Sequence, residues 1–157
     1  MALKFRNIEA DPADPVETWG FEGVLTALDR GDLADWSRVL RVIETDPWGD
    51  VARQFEIAAE QTEDRGAGAW AKLALARVRE EIKLAERREV SEVLAALVAS
   101  SGLTAGQFAS RTGTSASRLS AYLSAKTCPS AAYMVRAHRL AAPNVDSSAA
   151  SEAAIAK

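Results

Sequence analysis

The sequence predicts an all-α fold, two helical parts joined by a long helix, and three observations predict it. The chain is 48% hydrophobic and rich in Ala and Leu, so it can bury a core with residues that favour helix. Its 9 Gly and 5 Pro fall as punctuation along the chain. Between those breaks, apolar residues recur at three- and four-residue steps, the period of one helix face.

The elements follow in order. Residues 1–15 read as an extended arm, because Asp11-Pro12 and Asp14-Pro15 each disfavour helix at the residue before proline. Val16, Trp19, Val24, Leu25 and Leu28 then define a first helix that stops near Gly31. Asp32 caps a second, carried by Leu33, Trp36, Val39, Leu40, Val42 and Ile43 and ended by Asp46-Pro47. A third spans Trp48 to Gln61 on Val51, Phe55, Ile57 and Ala58, after which Gly66 and Gly68 are expected to break the chain. From Ala69 the pattern is again helical. Trp70, Leu73, Leu75, Val78, Ile82 and Leu84 form one apolar stripe, and Val90, Val93, Leu94, Leu97 and Val98 resume it before Ser100-Ser101-Gly102 stops it. The charged run Glu86-Arg87-Arg88-Glu89 between them reads as a solvated link. This divides the chain into an arm (1–15), an acidic helical domain suited to dimerisation or partner binding (16–85), a second domain (86–141) and a small, polar, flexible tail (142–157).

Net charge is −3, which by itself argues against a nucleic-acid partner. Its distribution argues the other way. Of the 22 Asp and Glu residues, none lies between 102 and 141, whereas Arg111, Arg118, Lys126, Arg136 and Arg139 do. A basic, acid-free segment behind an acidic one is the electrostatic footprint of a polyanion-binding region. No apolar run is long enough for a membrane span, and the N-terminus lacks the apolar core of a signal peptide. A single cysteine, Cys128, allows no internal disulfide and no cysteine-based metal cluster. A cytoplasmic location, nucleoid-associated when on DNA, without metal or cofactor, is the expectation.

Residues 103–141 hold three short helices in quick succession. Thr104-Ala-Gly-Gln107 is a capping box that points Phe108 and Ala109 inward. Thr112-Gly113 turns the chain, and Ser115 caps a helix over Ala116–Ala125 with Leu119, Tyr122 and Leu123 buried. Pro129-Ser130 starts a last helix with Tyr133, Met134, Ala137 and Leu140 inside. Two helices joined by a short glycine turn are a helix-turn-helix pattern.

Through Gly102-Leu103-Thr104, Phe108-Ala109, Gly113, Ser115, Leu119-Ser120, Lys126 and Pro129-Ser130, this segment resembles the Xre/Cro/phage-repressor helix-turn-helix family. With the helix before it, the similarity covers the C-terminal third of the chain. The resemblance implies a lambda-repressor-like domain, a transcriptional regulator (a repressor) and a homodimer on double-stranded DNA with two half-sites about one helical turn apart. It places Ser115, Ala116, Ser117, Arg118, Ser120 and Ala121 on the groove-facing side of the recognition helix. Arg118 is the one long donor there, suited to a guanine edge or equally to a phosphate; Ser117 suits a base or phosphate, and Ala116 or Ala121 a thymine methyl. Free amides at the Thr104 helix, with Arg111 and Lys126, suit phosphates. Arg136 and Arg139 lie beyond the motif and read as solvated or partner-facing. The chain departs from the family in having Ala105 where Gln is usual and Ser124-Ala125-Lys126 where Asn-Gly-Lys is common. Alanine tolerates a left-handed cap poorly, so that turn is expected to differ.

No enzyme is read here. Cys128 and His138 are the only thiol and imidazole, expected as a buried or half-buried thiol and a surface histidine, with nothing to pair them as nucleophile and base. A second functional reading gives the working role to the acidic N-terminal part: an antitoxin whose helical domain binds a toxin while the helix-turn-helix represses the operon. Trp19, Trp36, Trp48 and Trp70 would suit such a surface, although a helical core is the plainer explanation for them. A ligand-gated regulator is a third reading that no convergent polar group supports.

Overall fold

The computed structural model describes residues 3–5 and 9–142. The tail expected to be flexible therefore lies almost wholly outside the described residues. Among them the fold is all-α, with no strand. A short 3-10 turn at Val16–Thr18 leads into α1 (Gly20–Arg30), α2 (Leu33–Thr45), α3 (Asp50–Gln61), α4 (Arg65–Ser100), α5 (Ala105–Thr112), α6 (Ala116–Leu123) and α7 (Ala131–Ala141). The chain divides into two compact units, Met1–Ile82 and Lys83–Lys157.

In the first unit, α1 packs on α3 and α2. Its core holds Trp19, Val24, Leu28, Val39, Ile43, Phe55 and Leu75. Asp32 starts α2 as expected, its carboxylate accepting from the amides of Ala34 and Asp35 while Asp35 answers the Asp32 amide. Three expectations are corrected. The helix placed from Val16 begins only at Gly20, because the 3-10 turn and a positive φ at Gly20 redirect the chain first. The arm is not simply extended: Asp11 to Asp14 close a turn, Phe5 sits edge-on to Trp19 at 5.2 Å, and Arg38 donates to the carbonyls of Pro12 and Asp14. Thirdly, Gly66 and Gly68 do not break the chain; they lie in the first turns of α4. The Asp64 carboxylate receives the amides of Gly66 and Ala67, which starts the helix there. A Cβ at Gly68 would come within 2.7 Å of the Ala59 carbonyl oxygen. Glycine here permits close approach of α3 and α4, which periodicity within one helix cannot reveal.

Several apolar residues expected inside are exposed, among them Leu33, Trp48, Ile57, Leu73, Leu84 and Val93. The stripe that α4 buries in this unit is Ala67, Ala71, Leu75 and Val78, and Leu73 falls off it. Helix α4 continues through Glu86–Glu89 without interruption. Arg79 fastens it to its own unit, donating to both carboxylate oxygens of Glu56 at 3.0–3.1 Å and to the Pro47 carbonyl at 3.0 Å.

The second unit has its own core of Leu94, Phe108, Ala109, Leu119, Tyr133 and Ala137, with Leu97, Val98, Leu103, Tyr122, Leu123, Met134 and Leu140 against it. Each short helix begins on a polar cap: Thr104, Ser115 and Ser130 accept from the amides of Gln107, Arg118 and Tyr133. Helices of 8 to 11 residues are marginal alone, so these caps and the shared core stabilise them together.

Candidate nucleic-acid interface

Helix α6 owes its presentation to what holds its inner side. Leu119 is 1% exposed and fills the core below it. Behind it, the hydroxyl of Ser91 on α4 donates to the Leu123 carbonyl at 2.7 Å, satisfying a C-terminal carbonyl of α6 for which the helix supplies no donor. Tyr122 meets Tyr133 of α7 with ring centroids 5.1 Å apart. At the entry, Gly113 takes φ +74°, the left-handed conformation that glycine adopts without strain. The Thr114 amide then returns to the Ala109 carbonyl at 2.9 Å, and Ser115 is extended at the cap.

With that side fixed, Ser115, Ala116, Ser117, Arg118 and Ser120 are all exposed. Ala121, expected beside them, is half-buried instead; its carbonyl receives the amides of Lys126 and Thr127, so it is folded under the turn that follows α6. In that turn Ala125 itself takes φ +55°. The backbone thus holds a left-handed residue at a position where alanine is disfavoured.

Thr104, Arg111 and Lys126 are also exposed. The Thr104 side chain is committed to its capping box with Gln107, in both directions, and so is a poor phosphate donor. The neighbouring amides of Ala105 and Gly106 have no partner among the described residues, leaving two outward donors at the positive end of α5. No carboxylate pairs with Arg111, Arg118 or Lys126 among the described residues. The site therefore presents uncompensated positive charge around a helix with small side chains.

Arg136 is exposed, as expected, yet it is also engaged within its own unit. Its Nε donates to the Thr112 carbonyl at 3.0 Å, and its guanidinium lies 5.8 Å from the Tyr133 ring centroid. The buried Thr112 hydroxyl contacts the Phe108 carbonyl at 2.7 Å and the Tyr133 hydroxyl at 3.2 Å. Thr112, Tyr133 and Arg136 together latch α7 to the end of α5. Sequence reasoning missed Ser91 and this latch, although Ser91 and Thr112 each left a signal as a polar residue in register with an apolar stripe. Cys128 is exposed, not buried or half-buried, because it sits in the loop before Pro129; His138 is exposed on α7.

Among the described residues no cluster of His, Cys, Asp and Glu could hold a metal ion, and no single helix is long and apolar enough to cross a membrane. No family model, curated protein or solved structure matches this chain.

Proposed function

We propose that this protein binds double-stranded DNA sequence-specifically and represses transcription, with α6 as the recognition helix of a helix-turn-helix formed by α5 and α6. One observation carries the reading. A short helix keeps its apolar side in a core and turns outward a slim face of serines, alanine and one arginine, within a segment that has no carboxylate. The major groove admits a helix of this kind when its outer side chains are small and able to hydrogen-bond.

The roles divide by chemistry. Arg118, near the start of α6, donates two parallel hydrogen bonds to a guanine edge. Ser117 and Ser120 contact bases or phosphates, and Ala116 meets a thymine methyl. Arg111, Lys126 and the Ala105 and Gly106 amides grip the phosphates, which sets register without reading sequence. The protein acts as a binding module with no catalytic step, and two copies address two half-sites. Selection from a random duplex pool, followed by titration of the recovered sequence, tests the reading. A recovered consensus bound more weakly as salt rises supports it; folded protein that binds no duplex at low salt overturns it.

A partner protein on the acidic N-terminal unit, as in an antitoxin, is the second reading, favoured by the exposed Trp48 on that unit. Purification from the native cell with a stoichiometric basic protein would support it.

A further inference from the structure

What the outward face of α6 lacks narrows what it can read. Residues 115–121 include no Asn, Gln, Asp or Glu. Asn and Gln are the side chains that grip adenine with two hydrogen bonds, and Asp and Glu those that accept from the cytosine amino group. There remain Arg118, which fits the guanine edge, and Ala116, whose methyl carbon fits the methyl of thymine; both are exposed. The Arg118 guanidinium and the hydroxyls of Ser117 and Ser120 have no partner among the described residues. The Ser115 hydroxyl, by contrast, is committed to the Arg118 amide at 3.2 Å. Helical side chains lean toward the start of their helix, so Arg118 leans over Thr114 and Ser115, four and three residues before it. Both are short, which leaves the flat side of the guanidinium clear. A guanidinium paired with N7 and O6 of a guanine lies in the plane of that base. Its clear side then meets the C5 edge of a pyrimidine one step to the 5′ side.

We propose that α6 reads a 5-methylpyrimidine followed by a guanine, and accepts thymine and 5-methylcytosine alike in the first position. The two bases carry the same C5 methyl and differ at C4, where thymine has an accepting carbonyl and 5-methylcytosine a donating amino group. A carboxylate set against C4 would tell them apart, since it only accepts. A serine hydroxyl does not, because it donates to the one and accepts from the other, and Ser117 and Ser120 are the polar side chains beside Arg118. Discrimination in that position falls to the methyl, held against the Ala116 carbon and the side of Arg118. Uracil and unmodified cytosine keep the C4 groups and lose that contact. The inference rests on α6 being a recognition helix and adds the step it recognises.

Fluorescence anisotropy of the full chain on a duplex recovered from a random pool tests it. The recovered consensus should contain a thymine–guanine step. In that duplex the thymine is exchanged in turn for uracil, cytosine and 5-methylcytosine, each opposite its proper complement. The 5-methylcytosine duplex should bind as the thymine duplex does. Those with uracil and cytosine should bind about fourfold more weakly, the worth of one buried methyl group. Arg118→Lys keeps the charge but not the planar paired donors, so it should lose both the guanine preference and the methyl effect while keeping the salt dependence. A consensus without the step overturns the proposal. So does a uracil duplex bound as tightly as the thymine one, or 5-methylcytosine bound no better than cytosine. In each of these cases a consensus has been recovered, and the DNA-binding reading stands without this inference. Folded protein that recovers no duplex sinks both.

Discussion

At the scale of single residues, Arg118 and Ala125 make opposite kinds of statement. Arg118 is exposed and unpaired with any described carboxylate, so its energy is available to a ligand rather than to the fold. Arg118→Ala should leave thermal stability unchanged and reduce affinity for the selected duplex by about 1–3 kcal/mol, with relaxed preference at one base pair. Anisotropy titrations against the consensus and its single-base variants check this; a uniform loss over all sequences would make Arg118 a phosphate contact instead. Ala125 is strained where it stands, at φ +55°. Replacing it with glycine should stabilise the protein by about 0.5–1 kcal/mol, since relief of the left-handed strain exceeds the entropy glycine adds to the unfolded chain. Urea denaturation would show it, and a loss of stability would mean the strain is absent. The oddity of alanine here was legible in the sequence, because Ser124-Ala125 occupies a turn where Asn-Gly is common in the resembling family. That the backbone would keep the left-handed turn was not, because the amides of Lys126 and Thr127 both bond to Ala121 and impose it.

Helix boundaries show what local chemistry can and cannot announce. Asp32, Thr104, Ser115 and Ser130 start their helices where the capping patterns say they should, since a cap acts within one turn. Gly68 misleads for the complementary reason: its conformation is ordinary helix, and what demands glycine is the Ala59 carbonyl on another element. Gly68→Ala should therefore destabilise the protein by about 1–3 kcal/mol, although alanine is the better helix former by about 1 kcal/mol. Equal or higher stability in a urea melt would mean α3 and α4 separate freely. Ser91 is a similar case. Its hydroxyl serves the Leu123 carbonyl across the unit, so Ser91→Ala should cost about 1–2 kcal/mol and, by loosening the end of α6, weaken duplex binding more than stability alone explains. An unchanged urea midpoint and an unchanged affinity would together remove Ser91 from the support of α6.

For the molecule as a whole, charge distribution matters more than its sum. A net charge of −3 conceals residues 102–141, where every charged side chain is cationic. If that segment meets DNA, binding should weaken steeply with salt, each phosphate neutralised adding about −0.9 to the log–log slope. With Arg111 and Lys126 on phosphates in each of two copies, a slope of about −3.6 is expected from that relation, and a slope near zero in a salt series would refute an electrostatic footprint. The sequence by itself determined that the protein is all-α, where most helices start, and which segment lacks acid, because hydrophobic period, caps and charge are each properties of a few neighbouring residues. Only the tertiary structure decided that the tryptophans divide between core and surface, that Arg136 and Thr112 latch one helix to another, and that Leu73 is left outside. Those outcomes depend on which helix faces meet, and burial is a relation between elements distant in the chain.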